Sequence, residues 1–336
     1  MQITTIGIDL AKHVFQLHGV GSDGSVILRR RLRRSQMIAF FAQLAPCLVG
    51  MEACATAHHW ARELSELGHK VKLMPAHYVK AYVKRGKNDA ADAEAICEAV
   101  TRPTMRFVAV KTKEQQAVLV MHRTRELLVR QRTQVINALR GLLGEFGIAE
   151  SQGIWHVGRL RAHLVEDTVP EPGRQILVLL VEQFDGLEKR IERVDLEIRA
   201  WHRTNQVSKR LAKIPGVGPL IATAIAATVS DASLFRSGRE FAAWLGLVPR
   251  QKSTGGKQRL GRITRQGDAY IRRLLIIGAQ SALQRSKEIK ENAWAQGLLC
   301  RCPRLKVAVA LANKTARIAW ALMAKGETYR RAAASA

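Results

Sequence analysis

The 336-residue chain predicts an α/β region followed by a mainly helical one, a fold class of α/β plus α. Three observations support this. Short β-branched runs alternate with helical runs as far as Met74. Two long stretches beyond Lys113 then repeat apolar residues at heptad spacing. The remainder consists of apolar helices separated by Pro/Gly turns and a dense basic segment. The expected domains are 1–110, a helical and coiled-coil region over 111–206, and a C-terminal domain over 207–336.

Gln2 to Asp9 and His13 to Val20 read as strands, and the turn Ser22-Asp23-Gly24-Ser25 leads to a third, Val26 to Arg31. A helix is expected from Ser35 to about Leu44, a strand over Cys47–Glu52, a helix from Ala57 to Leu67, a strand over Lys70–Met74, and a helix near His77–Val83. Three antiparallel strands followed by alternating helix and strand form a mixed sheet of the ribonuclease H type. Asn88 is placed to cap a further helix running to about Val100, which sets Asp89 and Asp92 one turn apart on one face, just after the basic run Lys84-Arg85-Gly86-Lys87. Such a pair either complements the helix dipole or needs a cation between its carboxylates.

Asp9 and Glu52 end two of the expected strands, and each follows a glycine at i−2: Gly7 and Gly50. Period 2 places each glycine on the face of its acid, which predicts open space there for a metal ion or a phosphate backbone.

Lys113 to about Gly144 is helical, with Met121, Leu128, Val135 and Leu142 seven apart. Gln152 to Val169 reads as an aperiodic polar connection. After the breaker cluster Pro170-Glu171-Pro172-Gly173, Leu177, Phe184, Ile191 and Ile198 form one row and Leu180, Leu187, Val194 and Trp201 a second. This is a coiled-coil pattern that an intramolecular hairpin and an oligomer satisfy equally. Ile214 to Pro219 then forms a Pro-Gly-x-Gly turn whose Gly216 and Gly218 either present backbone N–H groups to a phosphate or simply turn the chain tightly; the basic setting favours the phosphate.

From Arg250 to Arg273 eight cations, Arg250, Lys252, Lys257, Arg259, Arg262, Arg265, Arg272 and Arg273, face one acid, Asp268. Among them Ser253, Thr254, Gly255 and Gly256 form a hydroxyl-bearing loop, which serves either as a phosphate clamp or as the carrier of a nucleophile. The helices Ile271–Leu283 and Arg304–Lys325 contribute Leu274, Ile277, Trp294, Leu311 and Trp320 to the expected core, and Thr328 to Ala336 reads as a loose tail.

With 54 Lys+Arg against 28 Asp+Glu the formal charge is +26, which calls for a polyanionic partner. The cations are spread along the whole chain, which favours nucleic acid over a membrane surface, and 5% aromatic content argues against base stacking as the principal binding mode. Five cysteines without a CxxC pair, and no signal peptide, point to a reducing cytoplasm and no structural zinc.

GIDLAK with Asp9, VGMEACATAHHW with Glu52, KNDAADAEAI with Asp89 and Asp92, IPGVGP, FAAWLGLVPRQKSTGGK and LGRITRQGDAYIRRLL occur in an order that resembles the DEDD-type bacterial insertion-sequence transposases related to the Piv DNA invertase. The resemblance covers most of the chain and is weakest over the central helices. It implies a RuvC-like ribonuclease H fold and a separate C-terminal transposase domain. It further implies a tetrad of Asp9, Glu52, Asp89 and Asp92 holding Mg2+ or Mn2+, and a serine nucleophile carried to Ser253, with Thr254 adjacent. Its implied partners are donor and target double-stranded DNA and a non-coding bridge RNA that guides both, with assembly as a dimer or tetramer in the bacterial cytoplasm. One departure is Ala55, where many relatives have glycine after Glu-Ala-Cys. Two other classes fit the residues: a RuvC-like nuclease that uses water, and a non-catalytic nucleic-acid binder.

Overall fold

The computed structural model describes residues 2–83, 88–164, 169–252, 257 and 259–330. The chain folds as two compact units, one of residues 1–113 with 229–234 and one of 114–228 with 235–336.

The first unit is built on a five-stranded sheet. Its strands are β1 (Thr5–Leu10), β2 (Val14–Val20), β3 (Val26–Arg33), β4 (Leu48–Glu52) and β5 (Lys70–Met74), in the order β3-β2-β1-β4-β5. The β3-β2-β1 meander is antiparallel and β1-β4-β5 is parallel, so the sheet is mixed as the strand pattern predicts. Between the strands lie α1 (Met37–Ala42) and α2 (Ala57–Glu66), and after β5 come α3 (Ala76–Val79) and α4 (Asp89–Val100). Ile6, Ile8, Phe15, Leu17, Val49 and Met51 bury one core with Trp60 and Leu64 of α2.

The helix α4 owes its start to Asn88, whose side chain accepts from the Ala90 N–H at 2.7 Å. It packs on β1, β2 and β4, and the two glycines explain how. Gly7 and Gly50 are lateral neighbours in the β1–β4 ladder. A Cβ on Gly7 would lie 2.3 Å from the Ala93 carbonyl oxygen and from the Cys97 nitrogen, and one on Gly50 would lie 2.8 Å from the Val100 Cβ. The space predicted for a metal or phosphate is therefore filled by α4. Glycine is required there because helix backbone meets sheet backbone.

The second unit is helical, with one small hairpin. In order come α5 (Lys113–Gly144), which begins on the last residue of the first unit, α6 (Val157–Ala162), α7 (Glu171–Thr204), α8 (Gln206–Leu211), α9 (Pro219–Thr228) and α10 (Gly238–Trp244). The strands β6 (Pro249–Gln251) and β7 (Leu260–Ile263) follow, then α11 (Ala269–Arg285), α12 (Lys287–Lys290), α13 (Ala293–Leu299) and α14 (Arg304–Lys325).

Several expectations change here. Pro170 to Gly173 is a helix start rather than a break: α7 begins at Glu171, with Pro172 in the first turn, where its missing N–H is not needed. The 152–169 connection contains α6, and Val157, Leu160, Leu164 and Val169 pack with Leu139, Leu143, Leu177 and Phe184. The first heptad row of α7 is buried within the chain. Arg125 pairs with Asp195 and Arg132 with Glu188, seven residues further along α5 and seven back along α7, so the two helices form an antiparallel intramolecular hairpin.

Ile277 is 52% exposed and Trp294 40% exposed, so neither belongs to the core. Ile277 falls outside the α11 stripe of Ile271, Leu274, Leu275, Gly278, Ala279 and Ala282, and Trp294 lies under the Lys314 ammonium, 4.5 Å from the ring centroid. Trp320 is only half-buried. Within the expected tail, the Tyr329 hydroxyl donates to the Glu288 carboxylate, and residues 331–336 lie outside the described residues.

Candidate functional site: an acidic cluster and a basic hairpin

Asp9 and α4 define the acidic cluster. With Ala93 and Cys97 seated over Gly7, the N-terminal turn of α4 points along β1 toward the residue two positions on, which is Asp9. One carboxylate oxygen from each of Asp9, Asp89 and Asp92 falls in a set whose members all lie within 4.8 Å of one another. Asp9 and Asp92 are half-buried and Asp89 is exposed. Glu52 ends β4 beside them. It is not part of that 4.8 Å set, but it is close enough for its charge to be felt.

Among the described residues the electrostatics are those of burial and like charge. Burial, and then the carboxylates of Asp92 and Asp89, raise the Asp9 pKa above the usual carboxylate value, against a smaller lowering by the Leu10 N–H. Burial, and then Asp9 and Asp92, raise Glu52 in the same way. A group of carboxylates in which burial and neighbouring charge raise the Asp9 and Glu52 pKa values is stabilised by a cation. Its all-oxygen donor set suits a hard divalent ion. Lys84 to Lys87, the basic run before α4, lie outside the described residues.

In the second unit, β6 and β7 form an antiparallel hairpin, closed where the Lys252 N–H donates to the Arg259 carbonyl at 2.9 Å. Ser253, Thr254, Gly255 and Gly256, which come between the two strands in sequence, lie outside the described residues. Lys252, Lys257, Arg259, Arg262 and Arg265 are exposed on and around the hairpin. Three of the predicted phosphate contacts hold the protein itself. Arg250 donates to the Thr264 carbonyl at 3.2 Å, Arg272 to the carbonyls of Leu245 (2.9 Å) and Gln266 (2.6 Å), and Arg273 to Glu126 at 2.9 Å. In the Pro-Gly-x-Gly turn, Gly216 has φ 84°, and a Cβ there would sit 2.5 Å from the Gly278 carbonyl oxygen, so it seats the turn on α11. Gly218 is exposed, with open space around it.

Sequence reasoning missed a buried polar node in this unit. His122 of α5 lies between the Tyr270 hydroxyl (3.0 Å from Nδ1) and Thr223 Oγ1 (3.0 Å from Nε2). The single Thr223 hydrogen is committed to the carbonyls of Pro219 and Leu220, so Thr223 accepts from Nε2–H and Tyr270 donates to Nδ1. Burial, and then Arg125, push the His122 pKa down to about 4, and burial pushes Tyr270 up to about 12. The node ties the start of α11, just after the hairpin, to the Pro-Gly turn. A lone histidine in a helical run carries no sequence signal of such a role.

Two family descriptions match: "Transposase", of the DEDD type found in IS110 elements, over residues 6–148, and "Transposase IS116/IS110/IS902 family" over residues 208–293. The chain is 51% identical to a "Probable family 20 transposase" of Pseudomonas aeruginosa, over 98% of this chain and 99% of that one. It is 41% identical to the "Transposase for insertion sequence element IS1328" of Yersinia enterocolitica, over 97% and 98%, and 40% identical to the "Transposase for insertion sequence element IS1111A" of Coxiella burnetii, over 98% and 92%. The family matches and the full-length relatives define a transposase, an enzyme that cuts and joins DNA. More narrowly, the chain belongs to the IS116/IS110/IS902 family of insertion-sequence transposases. Among the described residues no helix is long and apolar enough to cross a membrane.

Proposed function

We propose that Asp9, Glu52, Asp89 and Asp92 together hold Mg2+ or Mn2+ on a ribonuclease H-type sheet, and that Ser253 is the nucleophile that cuts and rejoins the DNA strand. The observation that carries the first half is the carboxylate set of Asp9, Asp89 and Asp92 within 4.8 Å, drawn from a strand end and a helix start. A bound divalent ion supplies charge stabilisation at the phosphodiester and orientation of its oxygens. The carboxylates accept that cation and exclude other anions.

In the second half, Ser253 Oγ bonds to the scissile phosphorus, one deoxyribose oxygen leaves, and the serine proton ends on that oxygen. The chain is then held as a phosphoserine ester until a second deoxyribose hydroxyl displaces it. The exposed Lys252, Lys257 and Arg259 flank the loop and face the charge that builds on the phosphoryl oxygens. Thr254 is the neighbouring hydroxyl against which Ser253 is to be tested. A non-coding bridge RNA pairing with donor and target supplies sequence specificity. A charge of +26 and sparse aromatics suit a protein that reads backbone and shape. The working domains are 1–110 for metal, 111–206 for the helical hairpin and 207–336 for the serine loop, acting as a dimer or tetramer.

Strand exchange on a donor and target pair tests this directly. Ser253→Ala and Asp89→Ala should each reduce exchange by about 1,000-fold or more, and the covalent protein-DNA species on a denaturing gel should vanish with Ser253→Ala. Full exchange in either variant, or cleavage that yields free ends with no adduct, contradicts the reading.

A further inference from the structure

The second unit holds a groove of about 2170 Å³ framed by α10, the β6–β7 hairpin, α11, the start of α13 and α14. Eight cations line it: Arg272 and Arg273 are held by protein groups, and the other six are Arg239 on α10, Arg262 and Arg265 at the hairpin, and Lys306, Lys314 and Arg317 on α14. No Asp or Glu is among its described lining residues. Arg265 is fixed in a left-handed conformation at φ 59°, its N–H donating to the Gly246 carbonyl at 3.2 Å. The α14 cations occupy one face, at i, i+8 and i+11.

The wall between the cations is apolar and partly bare. Leu260 and Leu305 line it, and Trp294 is 40% exposed even with the Lys314 ammonium 4.5 Å from its ring centroid. Two demands are thus made of one occupant: negative charge along its length and apolar faces between the charges. A DNA duplex meets only the first, because its base faces are stacked inside. An unpaired strand meets both, with phosphates on the arginines and lysines and a base against Trp294.

We propose that this groove binds an unpaired DNA strand, the cleaved strand on its way from one duplex to another. Cutting one strand and joining it elsewhere requires that its end leave its complement, and the groove begins at the hairpin that carries the serine loop. The proposal rests on the assignment of the hairpin to DNA cutting, but its test depends on neither serine chemistry nor metal.

Binding of the full chain to a labelled 15-nucleotide DNA strand, to the same sequence as a duplex and to the matching RNA strand is measured in EDTA across a salt series. Trp294→Ala should weaken single-stranded DNA by about 10-fold and leave duplex binding unchanged, with Trp294→Phe close to wild type. Arg317→Gln should lower the salt slope for the strand by about 0.7. Thermal melts confirm that each variant is folded, and Arg317→Gln decides the matter if Trp294→Ala is not. Unchanged strand affinity in the folded variants, or equal losses for strand and duplex, overturns the proposal. Losses confined to RNA overturn it too, and assign the groove to RNA.

Discussion

Two polar clusters, one in each unit, are built from similar materials and differ in whether they are satisfied. Around His122 every hydrogen has a destination, from Tyr270 through the imidazole to Thr223 and the Pro219 carbonyl, and Arg125 nearby is paired with Asp195. Around Asp9 the neighbours are more carboxylates, and burial and charge together raise its pKa and that of Glu52. A complete network holds helices in register. One of a single sign, as seen among the described residues, is what the proposed divalent ion would complete.

The largest effect that can break the contrast comes from the sheet. Gly7→Ala would place a methyl 2.3 Å from helix backbone atoms that cannot move singly. It should cost about 3 kcal/mol or more in chemical denaturation and remove strand exchange, because α4 carries Asp89 and Asp92. A stable, active Gly7→Ala would show that α4 does not set the cluster.

His122 gives the next effect, about 3 kcal/mol at most, and here pH is the probe. Its folded pKa of about 4 lies below the unfolded value of about 6.5. Below pH 6.5 the unfolded chain therefore takes up a proton that the folded chain refuses. Stability falls as pH drops from about 6.5 to about 4 and is level with respect to this group outside that window. His122→Gln should be less stable at pH 7 and lose this slope in urea titrations across the window. An unchanged slope would remove His122 as its source.

Much of this architecture is legible in the sequence. The strand pattern gives the mixed sheet and the helical run gives the limits of α5, whereas the heptads leave hairpin and oligomer equal and only the ion pairs between α5 and α7 show the hairpin. Asn88 followed by Asp89 and Asp92 gives the capped start of α4. Other parts are not legible for physical reasons. A glycine beside an acid has the same letter whether its missing Cβ admits a ligand or a helix, and only packing shows that Gly7 and Gly50 admit α4. The β6–β7 hairpin hides in a segment whose charge masks any alternation, and its strands are short and almost wholly exposed. The helix α10 could have been found, because Ser237 caps it by accepting from the Glu240 N–H, and Ser-x-x-Glu is a helix-start signal. The α14 cations could also have been read, from their spacing on one face.

In the proposed site the Asp9 cluster is destabilising by itself and is completed by a divalent ion. Raised carboxylate pKa values mean that the folded chain holds protons more tightly than the unfolded one, so stability is lost as pH rises through the window above the usual carboxylate value. The smallest but most direct measurement is therefore thermal melting at neutral pH, of wild type and Asp9→Asn, in EDTA and in excess Mg2+ or Mn2+. The ion should raise the wild-type melting temperature by a few degrees, Asp9→Asn should melt above wild type in EDTA, and the ion should add little to it. A wild type indifferent to both ions, or an Asp9→Asn that melts lower in EDTA, would contradict this reading of the cluster.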